Sequence, residues 1–120
     1  MSVTVVSTSP YLALFDNAGS YPRGVIINVQ PVDWVGTYGS TVTFSVDPYS
    51  GDGSILVYQW QEFTTQWDNL VDGIRISGAI TKVLSISNAQ AIDDGRQFRV
   101  SITNDFGTTI SETVIIIGSA

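Results

Sequence analysis

The chain has 120 residues with no cysteine and no histidine, and its formal net charge is −6 at pH 7. This length predicts one domain with a sizeable core, and the missing residue types exclude disulfides, thiol chemistry and any histidine-activated nucleophile. The dispersed acidic charge argues against nucleic acid and membrane surfaces as partners, and no cofactor is expected.

The first 23 residues predict an apolar arm ahead of the domain. Two short strand-like runs, 3–6 and 11–15, are separated by Ser-Thr-Ser-Pro and followed by a turn at 16–20. The arm lacks the features of a secretory signal or a membrane span, so we expect the chain to fold in a cytoplasm. It either folds onto the sheet of its own domain as an extra strand or hairpin, or buries itself against a partner subunit.

The next part of the chain alternates between apolar and polar residues, as half-buried strands do. Residues 25–31 predict an edge strand that ends at Pro31, because proline cannot donate to a central ladder. Glycines bracket a predicted turn at 36–39, and residues 40–46 predict the following strand. Residues 47–54 are rich in Asp, Pro, Ser and Gly, which predicts a loop.

The second half continues with short strands and contains no segment of helical period. Strands are predicted at 56–61 and 80–88, with a short strand and turn at 67–73. The clearest strand, 97–102, alternates strictly between polar and apolar residues after an Asp-Asp-Gly turn. A hairpin turn at 104–107 and one last strand, 108–117, close the chain.

Thirteen side chains are predicted to point inward from these strands and to form the core. They are Val42, Phe44, Val46, Leu56, Tyr58, Trp60, Leu84, Ile86, Phe98, Val100, Ile102, Val114 and Ile116.

Five residues form a core signature that resembles the immunoglobulin sandwich. Trp60 follows Val46 by 14 residues and precedes Val100 by 40, which is the Cys…Trp…Cys frame of that fold with valines in place of both cysteines. Phe98 stands where the fold has a corner tyrosine, so we expect a looser corner unless Asp94 caps it. The fold expected is all-β, a Greek-key sandwich of two antiparallel sheets, with residues 1–23 as an extension and 24–120 as the domain.

Six motifs extend the resemblance over residues 24–118, and together they are similar to the cysteine-free immunoglobulin-like domains of bacterial surface proteins and tailed-bacteriophage virions. The motifs are 39–46, 58–61, 76–81, 84–88, 94–100 and 103–111. The resemblance implies a non-enzymatic display or adhesion module: a decoration protein on phage heads, or an accessory module on tails and fibres. The arm lies outside the family pattern, so a docking function is expected there.

Seven apolar residues are candidates for contact with a partner. The run 114–117 is apolar on both faces, whereas a solvated strand should alternate, so its outer residues need a cover. The candidates in the arm and last strand are Val5, Tyr11, Leu12, Leu14, Phe15, Ile115 and Ile117.

Three aromatic residues in loops or at strand edges are candidates for surface recognition. Tyr49, Trp67 and Phe106 either cover neighbouring strands, as edge aromatics commonly do, or stack on sugars of a host surface.

Carboxylates offer two further hypotheses, and neither assigns a metal or catalytic residue. Asp93 and Asp94, with Asp47 or Asp52, supply the oxygen ligands that calcium takes, but their spacing matches no calcium loop and acidic residues beside glycine are ordinary turn chemistry. A glycosidase-like pair is allowed by residue type, while the family and the lack of a cleft-forming insertion argue against it.

The expected function is that of a capsid decoration protein in the virion, present in many copies and bound to the major capsid protein or to tail components. The alternative is a tail or fibre module that binds host cell-surface carbohydrate. Many copies on one particle would let weak host contacts add by avidity.

Overall fold

The structure, a computed structural model, describes residues 23–120, so the candidate contact residues of the arm lie outside the described part. Within residues 23–120, eleven strands and a 3-10 turn at Ala91–Asp93 follow one another, which confirms the all-β prediction. The strands are β1 Val25–Val29, β2 Trp34–Thr37, β3 Val42–Ser45, β4 Asp47–Ser50, β5 Val57–Phe63, β6 Trp67–Asn69, β7 Ile76–Ser77, β8 Val83–Ile86, β9 Gln97–Asn104, β10 Gly107–Ile110 and β11 Val114–Ser119.

The strands form the two layers of a sandwich. One layer contains β1 paired with β4, and the sheet β3-β8-β7; β4 continues β3 with only Val46 between them. The other layer has the order β2-β11-β9-β5-β6, with β10 also paired to β9. The apolar faces of the two layers enclose the core.

A parallel strand pair corrects the expectation that both sheets are antiparallel. Residues 36–39 were predicted as a turn, but Gly36 lies within β2, which pairs in parallel with β11. The chain changes layers after Pro31 without reversing direction, and this brings β2 alongside the last strand. Gly36 is required for packing: a Cβ there would lie 2.4 Å from the Trp34 ring. In the sequence, a glycine that is needed for packing cannot be told apart from a glycine in a turn.

The predicted loop at 47–54 begins with a strand. Residues 47–50 form β4, which pairs with β1 from Val29 opposite Asp47 to Val25 opposite Ser50. Loop-type residues are tolerated here because tertiary pairing outweighs local β-propensity. Pro48 fits because the β3–β8 ladder already ends at Ser45, opposite Val83.

The last predicted strand is divided into β10 and β11, which both pair with β9. Ser111 lies at the interruption and is 7% exposed. Its amide donates to the Val100 carbonyl, and its hydroxyl accepts from the Val100 amide at 2.8 Å. The Ser111 hydroxyl therefore takes the place of a backbone acceptor for β9 at the point where the last predicted strand is interrupted.

The core contains the inward residues predicted from the alternation, except that Leu56 and Tyr58 are only half-buried. Phe44 joins the two layers, with its ring centroid 6.3 Å from that of Trp60 and 5.4 Å from that of Phe98. Trp60 is fully buried and its indole N–H donates to the Thr81 carbonyl at 2.8 Å. Val46 and Val100, at the cysteine positions of the frame, are both buried.

Candidate functional site

The turn before β9 is held by a buried carboxylate, and this residue is Asp93. Its side chain is 1% exposed and lies 2.5 Å from Arg75 and 2.9 Å from Arg96. Asp93 also accepts from the Gln90 amide at 2.9 Å, which caps the 3-10 turn. Arg96 makes two further bonds to Glu62, at 2.7 and 2.8 Å. Because Arg75 precedes β7 and Glu62 lies on β5, this cluster joins the two layers.

Asp94, named in the core signature as a possible cap of this corner, lies at an exposed position. It accepts from the Tyr38 hydroxyl at 2.6 Å and from the Gly118 amide at 3.0 Å. The hydrogen bond to Asp94 raises the pKa of Tyr38. Phe98 is fully buried and has no hydroxyl, so the corner is fixed by the contacts of the two aspartates instead. The sequence could not separate the two, because adjacent aspartates in a turn have the same local signal.

The pKa of Asp93 follows from these contacts. Burial by itself would raise the pKa, but hydrogen bonds from Arg75, the Gln90 amide and Arg96 outweigh it and lower the value to about 2. The Asp93 carboxylate therefore stays ionised and paired with Arg75 and Arg96. Within residues 23–120 no group of three or more acidic side chains could hold a metal ion, and the calcium hypothesis gains no support there.

The three candidate recognition aromatics lie on different parts of the sandwich. Tyr49 is on β4 in one layer, Trp67 is on β6 at the edge of the other, and Phe106 is in the β9–β10 turn. Phe106 has the Arg23 guanidinium over its ring at 5.4 Å. These three residues therefore do not form one recognition surface.

Trp67 belongs instead to a small surface that sequence reasoning missed. Its ring meets Phe63 edge-on at 5.4 Å, and the Arg99 guanidinium lies 4.2 Å from its centroid. Arg99 also donates to Gln61, which in turn donates to Asn69. The strand register puts these residues on the outer face of β9, β5 and β6. Their sequence spacing alone could not show this, since the strand pairing was unknown.

An apolar row crosses the same outer face from the other edge. Val35 on β2 is opposite Ile117 on β11, and Ile115 is opposite Gln97, which is opposite Phe63. Val35 is 73% exposed and Ile117 is 42% exposed, whereas Ile115 is half-buried. The strand predicted to need a cover thus has an exposed apolar face in the structure.

The end of the domain where the arm enters is fixed by a polar network. The Asn104 amide donates to the Arg23 carbonyl at 2.7 Å and lies 3.2 Å from both Ser50 and Asp52. Asp52 accepts from the Ser54 amide and hydroxyl, and these bonds lower its pKa. Asn104 is 6% exposed, so its hydrogen bonds are shielded from solvent and fix the residues that precede β1.

In the described range, no helix is long and apolar enough to cross a membrane.

Solved immunoglobulin domains superpose on the chain. The titin M3 domain matches with a TM-score of 0.63 and 19% identity, over 82% of this chain and 100% of its own. The N-terminal four Ig domains of Dscam1 isoform 4.44 match with a TM-score of 0.67 and 16% identity, over 82% of this chain and 25% of theirs. The twitchin kinase region from C. elegans matches with a TM-score of 0.65 and 18% identity, over 81% of this chain and 17% of its own.

These likenesses establish an immunoglobulin-like fold, and at such identities they establish the fold alone. The chain spans a whole titin domain but less than a fifth of the twitchin region. No family model and no curated protein matches the sequence.

Proposed function

We propose that the chain is a non-enzymatic structural protein of a phage virion, a decoration subunit that displays its immunoglobulin-like domain on the capsid. The observation that carries the proposal is that the residues of the sandwich, from Val25 to Ile116, form one buried apolar core. We take the apolar side chains of the arm as additional to this core. An uncharged segment with Tyr11, Leu12, Leu14 and Phe15 is then available for contact with a capsid protein.

The apolar row on the last strand supports the same function. Val35 and Ile117 expose neighbouring apolar side chains on one sheet face, the kind of residues that specific interfaces use at their centre. The six sequence motifs that resemble domains of phage virion proteins support a virion as the assembly to which the chain belongs. Immunoglobulin-like domains are in general structural or binding modules, which agrees with a non-enzymatic role.

Cosedimentation with empty capsids of the same virus tests the proposal. We expect the full chain to cosediment, while the double variant Leu12→Asp/Leu14→Asp and a chain that starts at Gly24 stay in the supernatant. A matched control, Thr108→Asp on β10, should cosediment like the natural chain. Circular dichroism must show that each variant is folded. If the full chain does not bind capsids, the decoration role is wrong and tail parts become the next partners to test.

The alternative, a tail or fibre module that binds host carbohydrate, is supported by the surface around Trp67. Aromatic rings beside Gln61, Asn69 and Arg99 combine stacking with hydrogen-bond donors and acceptors. Titration with host polysaccharide should then show binding that Trp67→Ala abolishes and Tyr49→Ala leaves intact. Equal binding by both variants would contradict a Trp67 platform.

A further inference from the structure

The open edge of β3 differs from the outer edges of β6 and β7. β6 and β7 have three and two residues, and charged Asp68 and Arg75 lie within or beside them. Short length and charge are ways in which proteins protect an unpaired edge. β3 has the sequence Val-Thr-Phe-Ser, with no charge and no proline. Its edge therefore lacks the protection that a charged residue gives.

The hydrogen bonds on either side show which backbone groups of β3 are available. The Val46 amide donates to the Lys82 carbonyl, so even-numbered residues face β8. The Gly51 amide donates to the Gly24 carbonyl, so odd-numbered residues face the β1 side. Thr43 and Ser45 therefore point their N–H and C=O groups away from β8. Within residues 23–120 no strand pairs with that side of β3.

The edge of β3 is open because β1 stops pairing with this side of the sheet before it reaches β3. Pairing of β1 with this side ends at Val29, opposite Asp47, and the chain then crosses to the other layer through Pro31. The departure leaves a groove of about 380 Å³ between Val29, Gln30 and Val32 on one side and residues 43–47 on the other. Val29 and Val32 are 57% and 73% exposed. Exposed valines beside unpaired backbone groups suit the docking of an extended segment.

We propose that residues 3–6 of the same chain bind this groove as an additional strand on the edge of β3. The segment reads Val-Thr-Val-Val, which is uncharged, rich in β-branched residues and equal in length to β3. The added strand pairs with Thr43 and Ser45 and covers Val29 and Val32. The inference does not rest on the virion function, and it leaves residues 11–15 for contact with a partner.

The length of the connection favours the arm of the same chain over that of a second copy. The arm joins the domain at Arg23, beside Ser50, and Ser50 is six positions along the strand from Phe44, or about 20 Å. The 16 residues from 7 to 22 have a root-mean-square span of about 20–24 Å as a coil. An intramolecular site has its highest effective concentration when the linker span matches the distance to be bridged.

Cross-linking tests the proposal without background, because the chain has no cysteine. Adjacent residues of a strand face opposite sides, so the full-length variants Thr4→Cys/Thr43→Cys and Val5→Cys/Thr43→Cys are compared under mild oxidation. We expect one of the two to form a disulfide within the monomer. The matched control Val5→Cys/Thr108→Cys, with its second cysteine on β10 in the other layer, should not.

Amide hydrogen exchange gives the second readout. In the natural chain the Thr43 and Ser45 amides should be protected, and Val5→Pro/Val6→Pro should speed their exchange at least about tenfold, because proline removes donors from the added strand. Val5→Ile/Val6→Ile should keep the protection. Equal exchange in the natural chain and the proline variant overturns the proposal. So does a disulfide that forms only between chains, which would give the groove to a second copy.

Discussion

Asp93 is the residue on which the end of the sandwich before β9 depends. Asp93→Asn keeps the shape of the side chain but leaves Arg75 and Arg96 without their buried counter-charge. Removing one partner of a buried ion pair costs about 3–5 kcal/mol, so we expect a loss of this size in the free energy of unfolding. Urea denaturation measures it. The neighbouring Asp94→Asn, at an exposed position, should lose less than about 1 kcal/mol, and equal losses would contradict the assignment.

The same carboxylate predicts a dependence on pH. The folded pKa of Asp93, about 2, lies below the ordinary value of 3.8. Its contribution to stability is therefore fully present above about pH 4 and is lost as the pH falls through 2. Thermal unfolding between pH 2 and 6 should show the natural chain losing its advantage over Asp93→Asn in this window. A constant difference between the two would mean that Asp93 does not titrate with folding.

At the scale of elements, the fit of β2 against β11 depends on a missing side chain. Gly36→Ala would bring a Cβ within 2.4 Å of the Trp34 ring, so the ring must move away. We expect a loss of about 1–3 kcal/mol, typical of overpacking, and a shift in tryptophan fluorescence. Gly73→Ala is the matched control, because nothing lies within 4 Å of its added Cβ. An unchanged or raised melting temperature for Gly36→Ala would contradict this packing.

Elements with clear alternation were predictable from the sequence, and those fixed by distant pairing were not. The period of two around Phe98 and around Val42 places both strands and their inward faces, because alternation is a local property. β2 and β4 carry glycine, aspartate and proline, and become strands only because β11 and β1 lie beside them. For the same reason the surface around Trp67 depends on a register that no short stretch of sequence contains.

At the scale of the whole molecule, two valines occupy the positions of the two cysteines of the immunoglobulin fold. This predicts that the core can accept a disulfide between those positions. Val46 and Val100 are both buried in one cluster. The variant Val46→Cys/Val100→Cys should form a disulfide on oxidation and gain about 2–4 kcal/mol over its reduced form. Denaturation of the same variant with and without reductant measures the difference. Failure to form the bond would mean that these valines do not stand where the frame places them.

The parallel pairing of β2 with β11 has a mechanical consequence. A load between the arm side of the domain and the end of the chain pulls these two strands in opposite directions along their length. The bonds of the ladder from Trp34–Ile116 to Thr37–Ser119 are then strained together rather than opened one by one. The domain should resist such stretching far better than a load applied across the sheet. Single-molecule pulling along the two directions measures this difference. Resistance to stretching along the strands would suit a subunit that is held on a surface by its N-terminal segment.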